Sequence, residues 1–114
     1  MTWRGEIYVF GLIEGATRVE PSHTPQTWAR LTRVTVPATV LNPFLSIKVG
    51  EQPIASKIAF DSSGVIDVFA ALRGEVRIPP RSLLTMLIEC SRASRHCAGR
   101  FHLETWRGVE APTP

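Results

Sequence analysis

Short apolar stretches run through this chain, and several of them alternate with polar residues at every second position. A period of two places successive side chains on opposite faces of a strand, whereas a helix needs apolar residues three and four positions apart. Nine prolines and eight glycines separate the stretches. The pattern predicts six strands: Trp3–Ile13, Arg30–Val36, Phe44–Val49, Ile54–Phe60, Leu83–Ser91 and Arg100–Trp106.

The clearest hairpin joins the third and fourth of these strands. In Phe44–Val49, Leu45, Ile47 and Val49 occupy every second position, and Gly50–Pro53 has the composition of a turn. Ile54–Phe60 then continues in the opposite direction, as two alternating runs around a short glycine-containing turn indicate. The continuous apolar run Ile7–Phe10 instead predicts a first strand that is buried on both faces, either within a sandwich or against a neighbour.

Three other segments are less regular. Glu14–Thr27 contains Pro, Ser, Thr and His without a period and predicts a long loop. Val65–Arg73 fits either a strand, because it is rich in β-branched residues, or a short helix, because Val65, Phe69 and Leu72 have helical spacing. A brief alternation before Pro79 and Pro80 predicts one more short strand, since prolines are confined to edges and corners of sheets.

Together these elements predict an all-β chain of seven or eight short strands. At 114 residues the chain makes one domain. We expect a single small antiparallel β-sandwich, jelly-roll-like or immunoglobulin-like, and a small β-barrel is the alternative. The sandwich is expected to span residues 1–107, with a proline-rich loop at 14–27 and a proline-containing tail at 108–114.

The charge is uneven along the chain. Eleven arginines and two lysines against ten acidic residues give a net charge of +3. This excess of basic residues lies wholly in the C-terminal third of the chain. Arg92, Arg95 and Arg100 form the densest basic patch. Basic grooves with nearby aromatic residues bind single-stranded nucleic acid in small barrels, so this patch supports nucleic-acid binding as an alternative function.

No motif for catalysis or for a cofactor is present. The chain lacks a Gly-x-Ser-x-Gly sequence, and its glycines do not form a phosphate-binding loop. Cys90, His96, Cys97 and His102 have metal-binding side chains, but their spacing differs from that of the usual zinc sites. Cys90 and Cys97 are either unpaired thiols or a hairpin disulfide. We therefore expect no metal, no cofactor and no enzymatic activity.

The tryptophans and several prolines are candidates for a protein interface. Trp3 and Trp106 are each followed by arginine, and both residue types are frequent in binding hot spots. The tail after Gly108 offers little apolar surface for folding onto its own domain, which suggests an external partner. The predicted interface residues are Trp3, Trp28, Trp106, Pro21, Pro25 and Pro112.

In size, strand rhythm and proline-rich segments the chain resembles small virion structural proteins of bacteriophages, namely capsid decoration and minor capsid subunits. The resemblance implies a structural subunit that packs on copies of itself or on a lattice of major capsid protein. It also implies location in the virion. Otherwise we expect a cytoplasmic protein without a membrane partner, because neither a signal peptide nor a membrane-spanning run is evident. A small adaptor that binds a peptide at a sheet edge is a further alternative.

Overall fold

The computed structural model of the chain describes residues 2–11, 18–37, 40, 42–90, 98–108 and 110–112. Within these ranges it has ten strands and one short helix. They are β1 (Thr2–Gly11), β2 (Arg18–Val19), β3 (Ser22–His23), β4 (Ala29–Thr35), β5 (Phe44–Val49), β6 (Gln52–Ala59), β7 (Val65–Asp67), α1 (Val68–Leu72), β8 (Val76–Ile78), β9 (Leu84–Glu89) and β10 (Ala98–Arg107). No helix in these ranges is long and apolar enough to cross a membrane.

The strands form two antiparallel sheets of five strands each. In the first sheet β1, β10 and β4 are neighbours, and both β7 and β8 pair with the far side of β4. In the second sheet β2 and β3 both pair with β9, which is followed by β5 and β6. The predicted β-sandwich is therefore confirmed, as is the β5–β6 hairpin.

The core lies between the two sheets and follows the period of two. On β9, Leu84, Met86 and Ile88 are fully buried, and Leu45 and Ile47 on β5 face the same way. The first sheet contributes the remaining inward side chains from β4, β7, β8 and β10, among them Phe101 and Leu103.

A β-bulge in β4 allows two residues with irregular spacing in the sequence to face the same core. Leu31 and Val34 are both buried although they lie three positions apart, which a regular strand would place on opposite faces. The pairing of β4 with β10 shifts at this point, because His102 faces Arg33 while the next residue faces Leu31. The hydroxyl of the extra residue, Thr32, donates a hydrogen bond to the His102 carbonyl (3.0 Å).

The prediction that the first strand is buried on both faces is wrong. Tyr8 and Phe10 pack against the core, but the alternate residues Ile7 and Val9 are 58% and 70% exposed. The reason is that the protein has two packed sheets, so the second face of β1 points away from the other sheet. In β1, a run of consecutive apolar residues therefore occupies both the buried face and the exposed face of the strand.

Val65–Arg73 contains both predicted structures in succession. The strand β7 ends at Asp67, whose carboxylate accepts a hydrogen bond from the Ala70 backbone N–H (3.1 Å) and caps α1. Arg73 adopts φ 54° and ends the helix. The expected loop at Glu14–Thr27 is also more structured than predicted, because β2 and β3 lie within it and pair with β9.

Candidate functional site on the outer face of the first sheet

The face of the first sheet that points away from the second sheet combines aromatic, charged and exposed apolar side chains. On β1 this outer face carries Trp3, Gly5, Ile7 and Val9, the residues that alternate with the inward Tyr8 and Phe10. The opposite positions on β10 are Trp106, Glu104, His102 and Arg100. Aromatic, charged and aliphatic side chains are thus laid side by side along two strands.

One end of the outer face is a cluster of tryptophan, arginine and glutamate. The rings of Trp3 and Trp106 meet edge to face, with centroids 5.2 Å apart. The guanidinium carbon of Arg30 lies 4.4 Å from the Trp3 ring centroid, within the range of a cation–π contact. Arg30 also donates to Glu104 (2.7 Å) and to Glu75 (2.5 Å). The pairing of the first and last strands brings the two predicted interface residues Trp3 and Trp106 together, whereas the sequence did not identify the ion pairs.

The C-terminal tail packs against this Trp–Arg cluster. The indole N–H of Trp106 donates to the Glu110 carbonyl (2.6 Å), and a guanidinium N–H of Arg77 donates to the Pro112 carbonyl (3.5 Å). Pro112 is buried within the chain. These contacts correct the expectation that the tail has nothing on its own domain to bind. Arg77 also donates to Glu75 (2.8 Å), and this hydrogen bond lowers the pKa of the Glu75 carboxyl.

A groove of ≈ 740 Å³ runs across the middle of the outer face. Ile7 on β1 lines one part of the groove and Phe69 on α1 lines another, while Thr32, Arg33 and His102 lie on the strands between β1 and α1. Phe69 is 61% exposed, so the groove combines apolar side chains from two elements with polar side chains from β4 and β10.

The other end of the outer face is cationic. Burial, followed by the charges of Arg33 and Arg100, lowers the pKa of His102, so the imidazole is neutral at pH 7. Within the described part of the chain, neither Arg33 nor Arg100 forms an ion pair. Arg100 is the member of the predicted basic patch that the structure places, and Arg92 and Arg95 lie outside the described residues.

The remaining predicted interface residues are tied to their own domain by backbone hydrogen bonds. The Pro21 carbonyl accepts from the Met86 N–H (3.0 Å), and the Pro25 carbonyl accepts from the Arg81 N–H (2.8 Å). The Trp28 carbonyl accepts from the Trp106 N–H (2.8 Å). Their role as interface residues stays a prediction.

The cysteines and histidines that have metal-binding side chains form no metal site within the described ranges. Cys90 is half-buried beside the core, while His96 and Cys97 lie outside those ranges, as does any disulfide between the two cysteines. Among the described residues, no three or more His, Cys, Asp or Glu side chains lie together in a way that could hold a metal ion.

A second polar cluster, which the sequence did not reveal, lies between the sheets. The Tyr8 hydroxyl donates to Glu6 (2.6 Å), and this bond together with burial raises the pKa of Tyr8 to about 12. The His23 ring lies 4.3 Å from the Tyr8 ring, centroid to centroid, and 6.2 Å from that of Phe101. Burial lowers the pKa of His23, and the Glu6 charge opposes this effect.

Among solved structures, the chain is similar to two nucleoplasmin-like domains from Drosophila. The nucleoplasmin-like N-terminal domain of FKBP39 gives a TM-score of 0.56 at 6% identity, over 96% of this chain and 95% of that chain. The NLP core, whose structure is described as informing pentamer formation and histone binding, gives 0.43 at 12% identity, over 86% of this chain and 97% of that chain. A segment of latent PorU from Porphyromonas gingivalis gives 0.35 at 10% identity, over 92% of this chain and 13% of that chain.

No protein-family model and no curated protein matches the sequence. At 6% identity the FKBP39 domain shows a shared fold and nothing about shared residues. The other two TM-scores, 0.43 and 0.35, are too low to show a shared fold.

Proposed function

We propose that this protein is a non-enzymatic assembly subunit that associates with copies of itself through the outer face of the first sheet. The observation that carries the proposal is the distribution of exposed apolar side chains. Among the described residues, Val9, Phe69 and Ile7 are the most exposed large apolar side chains, at 70%, 61% and 58%, and all three lie on this side of the first sheet. Contiguous exposed apolar surface next to polar groups is typical of a protein interface.

The Trp–Arg cluster supports the same surface. Trp and Arg are enriched at the centres of interfaces, and Arg30 is already oriented by Trp3, Glu75 and Glu104. A side chain that is fixed before binding loses less conformational entropy when a partner covers it. The partner therefore meets an aromatic and charged platform held by its own contacts, beside exposed apolar side chains.

The first test is the mass of the purified chain, measured by light scattering after size exclusion at low and high salt. We expect a multiple of 12.6 kDa that survives high salt, because apolar contacts are not screened. Val9→Lys should shift the chain to a monomer. Ile54→Lys is the matched control, since Ile54 is also exposed (40%) but lies on β6 of the second sheet. A wild-type monomer at every concentration would contradict the proposal.

The cationic end of the outer face favours a second candidate function, which is binding of single-stranded nucleic acid. Arg33, Arg100 and Val9 lie close together there, so phosphate and base contacts could form side by side. The same chromatography tests it. Nucleic acid that co-purifies at low salt and is lost at high salt supports this function, because phosphate contacts weaken steeply with salt.

A virion location is the finer form of the assembly proposal. It rests on the resemblance in size and strand rhythm to phage decoration and minor capsid subunits. A purified chain that binds emptied phage shells at a fixed ratio of copies would support it, and failure to bind would leave self-association unaffected.

A further inference from the structure

The two sheets end in strands of very different length. β2, β3, β7 and β8 have two or three residues each, so they offer little backbone for pairing. β1 and β6 are long, with ten and eight residues. An edge strand with unpaired N–H and C=O groups is a template for another strand, and proteins usually protect such edges.

β6 has several of these protections. It contains Pro53, which lacks an N–H, and Lys57, which has φ 50°. Its pairing with β5 is irregular at two places. Proline, an exposed lysine and an irregular backbone all discourage the addition of a further strand.

β1 has none of these protections. It contains neither proline nor lysine, and it pairs with β10 without interruption from Thr2 opposite Arg107 to Gly11 opposite Ala98. Among the described residues, no backbone group hydrogen-bonds to the edge of β1 that lies away from β10. The exposed Ile7 and Val9 are on this same strand.

We propose that β1 pairs antiparallel with β1 of a second copy, so that two first sheets join into one continuous sheet around a twofold axis at Ile7. This inference rests on the proposed self-association and places one contact of it at the β1 edge, where Ile7 and Val9 border the outer face. The outer faces of the two copies then lie side by side, and Phe69 stays away from this contact. A twofold contact uses one patch twice and needs only a self-complementary surface.

The side chains of β1 favour this register over those with the axis at Glu6 or at Gly5. With the axis at Ile7, Glu6 lies opposite Tyr8 of the second copy, and Tyr8 already donates to a Glu6 carboxylate within one chain. With the axis at Glu6, two carboxylates would lie opposite each other, which is unfavourable. With the axis at Gly5, Val9 and Phe10 would remain beyond the paired segment.

Gly5 adds a steric argument. With the axis at Ile7, Gly5 lies opposite Val9 of the second copy. A Cβ atom added at Gly5 would meet no atom of its own chain within 4 Å. The space over Gly5 is therefore open to the side chain of the opposing valine, which would cover exposed apolar surface on both copies.

The test is site-directed disulfide formation with the full chain. Directly opposite residues in antiparallel strands have Cα atoms about 4.5–5.5 Å apart, a spacing that a disulfide can bridge. After mild oxidation we expect Ile7→Cys to give at least tenfold more covalent dimer than Phe69→Cys. Phe69 is equally exposed but lies on α1, away from the edge. Peptide mass spectrometry identifies links between two copies of position 7 and separates them from those of Cys90 and Cys97.

A second pair of variants fixes the register. A mixture of Gly5→Cys and Val9→Cys chains should give a 5–9 link, and Val9→Cys alone should give little covalent dimer. Circular dichroism confirms that each variant retains the β fold. Equal yields from positions 7 and 69, or no 5–9 link, would overturn the edge pairing.

The outcomes for the two proposals are distinct. If the wild type is oligomeric in light scattering but positions 7 and 5–9 do not link, self-association stands and the β1 edge is not its interface. If the wild type is monomeric and no link forms, both proposals fail. Capture of an added extended peptide by that monomer would then show that the edge serves another protein instead.

Discussion

At the scale of single residues, His23 shows how a half-buried titratable group links stability to pH. Its ring packs against Tyr8 and Phe101 between the sheets, and burial lowers its pKa below the ordinary value of 6.5. The unfolded chain therefore binds a proton at His23 at a higher pH than the folded chain does. Stability from this residue is present above about pH 6.5 and is lost as the pH falls below it.

We expect the free energy of unfolding to decrease as the pH is lowered from 7 to 5, with a smaller slope in His23→Phe. Phenylalanine keeps a ring beside Tyr8 but does not titrate. Some slope should remain, because the pKa of His102 is lowered as well. Denaturant titrations at a series of pH values measure the slopes. Identical slopes for wild type and variant would show that His23 is not the titrating group.

At the scale of elements, the turn between β6 and β7 depends on one glycine. The Asp61 carboxylate accepts from the N–H groups of Ser63 (2.8 Å) and Val65 (3.0 Å), which closes the turn. Gly64 adopts φ 77°, and its carbonyl accepts from the Val36 N–H (2.8 Å). A Cβ at Gly64 would collide with the Val36 carbonyl oxygen, so both the backbone angle and the close approach require glycine.

Gly64→Ala should therefore destabilise the protein more than Gly50→Ala. Gly50 also has a positive φ, 57°, but a Cβ there would meet nothing within 4 Å. The left-handed backbone alone costs a non-glycine residue about 1–2 kcal/mol, and the collision at Gly64 adds to that cost. Denaturant unfolding of the two variants measures the difference. Equal losses would mean that the turn relaxes away from Val36.

The elements also show how far the sequence could predict the fold. Strands that are buried on one face were identified closely, and Phe44–Val49 matches β5 at both ends. The two-residue strands β2 and β3 were missed, because segments so short have no period and are fixed by their pairing with β9. The bulge at Thr32 was also missed, since a spacing of three between Leu31 and Val34 gains meaning only once both are known to be buried.

The candidate site was predicted only in part, for a physical reason. Trp3 and Trp106 could be placed together by assuming that the terminal strands pair. The ion pairs of Arg30 with Glu75 and Glu104 join residues far apart in sequence, and no local pattern reports them. The exposure of Ile7 and Val9 depends on the second face of β1 pointing away from the other sheet, which is a property of the two packed sheets rather than of the strand itself.

At the scale of the whole molecule, the two sheets differ in how they meet their surroundings. The second sheet has a long edge protected by Pro53 and Lys57, whereas the first has an unprotected edge at β1 beside the most exposed apolar residues. A monomer would gain nothing from this asymmetry, because unprotected edges promote unwanted pairing. The asymmetry is expected if the β1 edge of the first sheet is paired in the functional state.

Association through the native first sheet makes a final prediction about thermal unfolding. Because only folded chains associate, higher protein concentration stabilises the folded state. For a dimer, a tenfold rise in concentration should raise Tm by roughly 2–4 °C for a domain of this size.

Differential scanning calorimetry over a hundredfold concentration range measures this shift. The Tm of Val9→Lys should be independent of concentration, and Ile54→Lys should follow the wild type. A wild-type Tm that does not change, in a sample that light scattering shows to be oligomeric, would contradict this link. It would mean that association does not stabilise the folded chain at its Tm, because the oligomer has dissociated before unfolding or persists after it.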